Sequence, residues 1–310
     1  MTLTADQQSV ANDILKKLFE GKEQEIILSG PAGTGKSFLV NYILDDILPK
    51  YEKTLQLCNL PRKFLHETPY VTATTNKAVG VLRKNINHYV STIESALGLV
   101  VEGDYTKGEY KLVPCKSGAH QITDCFIIID EASMIDWTLY KYIRQLCLNC
   151  FIIYVGDDCQ LPAVKAGNKP IIWQMGLPEY KLTTLVRQAE NQELAKLCNY
   201  MRDTVYTGQF KPVYCTVTIQ HILDQNEQQK ILLNEDYQKI LTYTNAKAIQ
   251  YNEWIMEQKY GYSATVYVGE DYVMNDYYQS SDRRVRIPAE SVIRVIEVFD
   301  KQKVEYNGAD

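Results

Sequence analysis

The chain is 310 residues long, 45% apolar and 23% charged, which is the composition of an ordinary soluble protein with room for about two domains. Its 33 basic and 38 acidic side chains leave a net charge of −5, so no overall basic field marks a nucleic-acid binder and any such contact has to be local. No apolar run approaches the ~20 residues of a membrane span, the N-terminus lacks the regions of a signal peptide, and the 8 cysteines are too scattered for a disulfide scaffold. A cytoplasmic protein with reduced thiols and no membrane contact is expected. Cys147 and Cys150 form a C-x-x-C pair, but a zinc site needs a second ligand pair and the histidines stand apart, so buried structural thiols are expected.

Taken in chain order, Thr4 to Phe19 carries apolar residues at a helical period, with Thr4 placed as an N-cap. Short apolar strands are expected at Ile26 to Ser29, Tyr70 to Ala73, Phe126 to Ile129, Ile152 to Val155 and Ile240 to Thr244. Amphipathic stretches between them, the first from Phe38 to Leu48, argue for a parallel sheet flanked by helices, an α/β fold. Between Leu97 and Gln121 the pattern turns to Gly, Lys, Tyr and Val, and a β-hairpin insertion is expected. A second domain is expected from about residue 189, with a helix over Asn191 to Tyr206 and another over Ala246 to Gln258. From Gly261 the alternating stretches Ala264 to Val268 and Val292 to Val298 predict a small β subdomain.

Gly30-Pro31-Ala32-Gly33-Thr34-Gly35-Lys36-Ser37 stands between a strand and a helix, the context of a phosphate-binding loop. Glycines let successive backbone N–H groups turn inward on a β-phosphate, Lys36 reaches the β- and γ-phosphates, and the Ser37 hydroxyl suits Mg²⁺. ATP and Mg²⁺ are therefore the expected cofactors. Asp130-Glu131 closes the buried run Phe126 to Ile129: Asp130 is placed to hold Mg²⁺ and Glu131 to deprotonate the attacking water. Gln160, beyond the strand that ends Val155-Gly156-Asp157, can donate to a phosphate oxygen and accept from water.

These segments together resemble the superfamily-one helicases, and within them the RecD-like, Dda-like group. The match runs in order through Leu3-Thr4 with Gln7, the phosphate loop, Val71 to Ala78, Thr92 to Leu97, Asp130 to Ser133, Gly156-Asp157 with Gln160-Leu161-Pro162, and Leu182-Thr183 through Arg187-Gln188. Leu241 to Asn245 extends it more weakly. The resemblance implies a RecA-like ATP-binding domain over 1–188, part of a second RecA-like domain over 189–260, and the start of a small SH3-like insert over 261–310. It implies that Gln7 reads adenine, that Arg187 reaches the γ-phosphate, and that Thr72, Thr74, Thr75, Asn76, Thr92 and Ser95 contact a single strand. Glu94 stands where many relatives have histidine, and the family's last two motifs are absent, so a fragment or a naturally short form is expected.

The function implied is an ATP-driven translocase or helicase acting 5′ to 3′ on single-stranded DNA or a single/double-strand junction, with the hairpin as the separating element. The alternative is an ATP-dependent single-strand-binding switch without unwinding, which the missing motifs favour for these 310 residues alone, so duplex separation at a useful rate is not expected of them. A monomer is expected, with replication or recombination proteins as partners.

Overall fold

The structure is a computed structural model describing residues 2–22, 24–104, 109–163, 169–184, 186, 192–210, 212–216, 219–220, 222–234, 240–261, 266–274, 278–280, 284–287 and 291–298. It divides into two compact units, 1–211 and 212–310. The division falls later than residue 188, where the sequence reading ended the first domain.

The first unit begins with α1 (Ala5–Glu20), capped by Thr4, whose side chain accepts from the Gln7 N–H while the Gln7 side chain accepts from the Thr4 N–H. This reciprocal box satisfies two otherwise orphaned donors. The next strand is β1 (Gln24–Ser29), followed by the phosphate loop and α2 (Lys36–Tyr42). One π turn at Ile43–Ile47 carries the helix on into α3 (Leu48–Leu57), with Pro49 in its first turn. The sequence reading stopped this helix at Leu48, ahead of the proline. Pro49 has no N–H to give to the preceding turn, and the π turn directly before it is where the otherwise continuous helix departs from regular α geometry.

Next come β2 (Tyr70–Ala73), α4 (Asn76–Asn85), β3 (Val90–Thr92) and the single turn α5 (Ile93–Ala96). The expected hairpin is β4 (Leu99–Asp104) paired antiparallel with β5 (Glu109–Pro114); its tip lies outside the described residues. Then follow β6 (Ile122–Thr123), β7 (Phe126–Asp130), α6 (Trp137–Leu146), β8 (Cys147–Leu148), β9 (Phe151–Gly156), β10 (Glu179–Lys181) and α7 (Gln192–Thr207).

Six of these strands form one sheet in the order β10-β1-β9-β7-β2-β3, and every neighbouring pair is parallel. Such a sheet is covered on both faces, which is why β1, β7 and β9 read as near-continuous apolar runs rather than alternating ones. Side chains of alternate parity fill two cores. One packs Ile26, Leu28, Ile128, Ile153 and Val155 against α1, α2 and α3. The other packs Ile27, Ile127, Ile129, Ile152 and Tyr154 with α6, Leu97 and Leu99. Cys125, Cys147 and Cys150 are buried in that second core, as the C-x-x-C reading expected.

The second unit contains α8 (Gln225–Leu233) and α9 (Asn245–Tyr260), capped by Asp224 and Thr244. It also holds two antiparallel ribbons, β11 (Asp271–Val273) with β14 (Val292–Arg294) and β12 (Tyr278–Gln279) with β13 (Arg286–Ile287). The strand expected over Ile240 to Thr244 is not formed: among the described residues it has no pairing partner, and Thr244 takes extended geometry to cap α9 instead. Within Ala264 to Val268, the described residues 266–268 are also irregular. Among the described residues, no helix of either unit is long and apolar enough to cross a membrane.

Candidate nucleotide site

In an open parallel sheet, ligands gather at the carboxyl ends of the strands. Here the ends of the neighbouring strands β1, β9 and β7 carry the phosphate loop, the Asp157–Gln160 turn and the Asp130-Glu131 pair. All three chemistries singled out in the sequence therefore share one edge.

The loop's shape depends on its glycines at two places. At Gly30 an added Cβ would lie 2.7 Å from the Leu182 carbonyl oxygen, and at Gly35, with φ +77°, it would lie 2.5 Å from Nε2 of Gln7. At Gly30 the obstacle is backbone, and at Gly35 the left-handed φ strains any side chain whatever room Gln7 makes. The loop is braced from below: Thr34 Oγ1 donates to the Pro31 carbonyl at 2.9 Å, and Gln7 Nε2 donates to the Thr34 carbonyl at 3.0 Å. Lys36 folds over the loop and donates to the carbonyls of Gly30 and Pro31 at 2.6 and 3.1 Å. Burial pulls its ammonium below the usual lysine range, while Asp157, Asp130 and Glu131 oppose that shift. A buried lysine ringed by carboxylates and resting on replaceable carbonyls is well placed to take a phosphate.

Asp130 accepts from the Glu131 N–H at 2.9 Å. Glu131 itself sits in the left-handed region at φ +54°, which costs a non-glycine residue energy and turns its side chain off the strand axis. Burial raises both carboxyl groups above their ordinary range; for Glu131 the neighbouring charge of Asp130 adds to this, and Lys36 opposes it in both. The Asp130 carboxylate, a hard oxygen donor that burial leaves short of solvation, suits Mg²⁺ together with the exposed Ser37 hydroxyl on the loop. Gln160 is exposed, and its Oε1 accepts from Ser133 Oγ at 3.3 Å, two residues beyond Glu131.

The threonine segments lie at the ends of β2 and β3, farther along the same edge. Thr72 is a correction: it is fully buried and its hydroxyl donates to the Ile128 carbonyl at 2.7 Å, so a strand has no access to it. The cover on both faces of the sheet explains this, because side chains of either parity on β2 are then buried, Val71 and Ala73 as well as Thr72. Thr74 donates to the Glu131 carbonyl at 3.0 Å, and Thr75 caps α4 by accepting from the Ala78 N–H at 3.1 Å. Asn76 and Ser95 are exposed, and Thr92 caps α5 by accepting from the Ser95 N–H. Gln7, assigned to adenine by resemblance, is buried with both ends of its amide bonded to the Thr4 N–H and the Thr34 carbonyl. Arg187 lies outside the described residues.

Two groups went unread in the sequence. Asp6 accepts from the N–H groups of Thr183 and Thr184 at 3.1 and 3.2 Å, tying α1 to the segment that follows β10. Burial would raise its carboxyl, but hydrogen bonds from Thr4, Thr184, Thr183 and Gln7 prevail and hold it at about 2. Arg202 of α7 pairs with Asp157 and Asp158. The signal for Asp6 was its place between Thr4 and Gln7. For Arg202 there was only a cation on a helix then assigned to the next domain.

Glu94 has a measurable consequence. Burial, with a smaller contribution from Asp136, raises its carboxyl to about 7, against hydrogen bonds from its own backbone and Thr92. Since its folded pKa lies above its unfolded one, it favours folding at low pH, and that contribution is lost as pH rises from about 4.5 through 7. Glu94→Gln is therefore expected to raise the melting temperature at pH 8, by an amount corresponding to about 3 kcal/mol, and to leave it unchanged near pH 4. Thermal melts across pH 4 to 8 check this; equal shifts at both ends would mean that the carboxylate is not buried.

A phosphate loop at the end of β1, facing a carboxylate pair on β7 across a central parallel sheet, defines a P-loop nucleotide-binding protein of RecA-like fold. A protein-family profile described as an AAA domain matches residues 2–209, and the chain belongs to that family, as a superfamily-one protein of the Dda/Pif1 type. It is 29% identical over 170 residues to the ATP-dependent DNA helicase dda of Enterobacteria phage T4, covering 54% of this chain and 34% of that protein. It is 23% identical over 235 residues to the ATP-dependent DNA helicase RRM3 of Saccharomyces cerevisiae, covering 65% and 28%. Overlay on the crystal structure of Bacteroides sp Pif1 in complex with ADP-AlF4 gives a TM-score of 0.48 at 17% identity, over 96% of this chain and 64% of that one. The chain thus spans about a third of the length of these two helicase relatives.

Proposed function

We propose that this chain is an ATP-hydrolysing motor unit that moves 5′ to 3′ on single-stranded DNA and separates duplex ahead of it. The observation that supports it most directly is the meeting of Lys36, Asp130, Glu131 and Gln160 on the ends of three adjacent strands. In this reading ATP displaces the loop carbonyls from Lys36, and the backbone N–H groups of 33–37 with the start of α2 hold the β-phosphate. Ser37 and Asp130 hold Mg²⁺, which when bound draws charge from the β- and γ-phosphate oxygens. Glu131 takes the proton of the attacking water, and Gln160 bonds that water and a γ-phosphate oxygen, so its amide registers whether the γ-phosphate is present. Gln7 then contacts adenine by exchanging one of its present bonds, and Arg187 approaches the γ-phosphate.

The single strand is read as lying along the far part of the same edge, where Asn76 and Ser95 are exposed, with Thr74, Thr75 and Thr92 beneath. Neutral hydroxyl and amide contacts suit a chain of net charge −5. The β4–β5 hairpin serves as the separating element, and the chain acts as a monomer at a single/double-strand junction, alongside replication or recombination proteins.

The test is strand displacement from a duplex bearing either a 5′ or a 3′ single-stranded tail, with ATPase measured on the same preparation. ATPase stimulated by single strand is expected, with any displacement coming from the 5′-tailed duplex alone. Stimulated ATPase without displacement from either duplex would replace the motor with a binding switch, and displacement from the 3′ tail would reverse the direction.

A further inference from the structure

The strongest polar cluster outside the phosphate site joins three elements of the first unit. Arg202 Nη1 donates to both carboxylate oxygens of Asp157 at 2.7 Å, and Nη2 donates to Asp158 at 3.1 Å. Tyr206, one turn along α7, donates to Asp158 at 2.7 Å. Lys181, at the end of β10, donates to Asp158 at 3.2 Å and to the Tyr206 hydroxyl at 2.8 Å. Arg202, Asp157 and Asp158 are each less than one-fifth exposed, so solvent screens the pairing little.

From Asp157 the connections run to the nucleotide site. The same carboxylate accepts from the Cys159 N–H at 3.0 Å, and the Asp157 carbonyl accepts from the Gln160 N–H at 3.2 Å. Those two bonds fix the turn that presents Gln160, whose side chain meets Ser133 beside Glu131. Only a planar fork satisfies two adjacent carboxylates at once, which an ammonium cannot do with the same directionality.

We propose that Arg202 is a positioning residue for ATP hydrolysis, holding the 157–160 turn so that the Gln160 amide stays on the reacting phosphate. This rests on the ATPase reading above.

The test is a double-mutant cycle on the full chain. Arg202→Lys, Gln160→Ala and the pair of substitutions together are assayed for kcat and KM of ATP hydrolysis with single-stranded DNA, and for binding of a fluorescent ATP analogue. Arg202→Lys is expected to lower kcat ~10-fold with KM for ATP changed less than ~3-fold. Adding it to Gln160→Ala is expected to lower kcat little further, because both act through one amide. Arg202→Ala should lower kcat by more than Arg202→Lys while still binding the analogue. If Arg202→Ala fails to fold, Arg202→Lys carries the test alone. Losses that multiply in the double variant, or a raised KM at unchanged kcat, would overturn the proposal. A wild-type chain that binds the analogue but never hydrolyses ATP would instead overturn the ATPase reading, and this proposal with it.

Discussion

Lys36→Ala is expected to reduce ATP hydrolysis by ~10²–10³-fold or more, the scale seen when one preorganised donor to developing charge is removed. Here the loss should lie at the upper end. Lys36 is the charge that burial destabilises and that Asp157, Asp130 and Glu131 hold in place, so its removal leaves Asp130 and Glu131 without a cation before the incoming phosphates, Asp157 being paired with Arg202. Nucleotide affinity should fall as well, because the γ-phosphate then meets net repulsion. Turnover by a coupled assay and binding of a fluorescent nucleotide check the two effects. Near-normal turnover would mean that phosphates do not lie where Lys36 rests on the Gly30 and Pro31 carbonyls.

Glu131→Gln is expected to separate binding from chemistry. The amide keeps the shape of the side chain but cannot take a proton, so hydrolysis should drop by ~10²–10⁴-fold while ATP with Mg²⁺ still binds. The backbone gives no reason for structural failure: glutamine suffers the same left-handed geometry as glutamate, and the bonds that hold the turn come from the Glu131 main chain. Replacing a half-buried carboxylate by a neutral amide also removes repulsion from Asp130, so binding at equal or higher affinity is expected. Loss of nucleotide binding in a folded variant would make Glu131 a metal ligand or a structural residue.

The nucleotide half of the site was legible because each part is contiguous in sequence. Gly30 to Ser37 and Asp130-Glu131 each occupy one turn at the end of an apolar run, so strand order alone brings them to one edge. The sheet was legible for the same reason, since β1, β7 and β9 are buried on both faces and carry no polar alternation. Thr72 was misread because its hydroxyl belongs to a residue type equally suited to a phosphate and to a neighbouring carbonyl, and only the register that sets it opposite Ile129, within reach of the Ile128 carbonyl, decides which. Arg202 and Asp6 were missed because their partners lie 45 and 177 residues away in sequence. The strand expected over Ile240 to Thr244 failed where a β-prone run has no neighbour to pair with among the described residues.

The six-stranded sheet ends on both sides in strands of three residues, β10 and β3. Such short margins offer too few free backbone groups to template a further strand, which is one way natural sheets avoid edge-to-edge aggregation. The apolar central strands stay interior to the sheet, insulated by these terminal ribs. Association with a second copy through the margins of this sheet is therefore disfavoured, and lengthening β10 or β3 by a few β-branched residues is a change that would expose them to fibrous self-pairing.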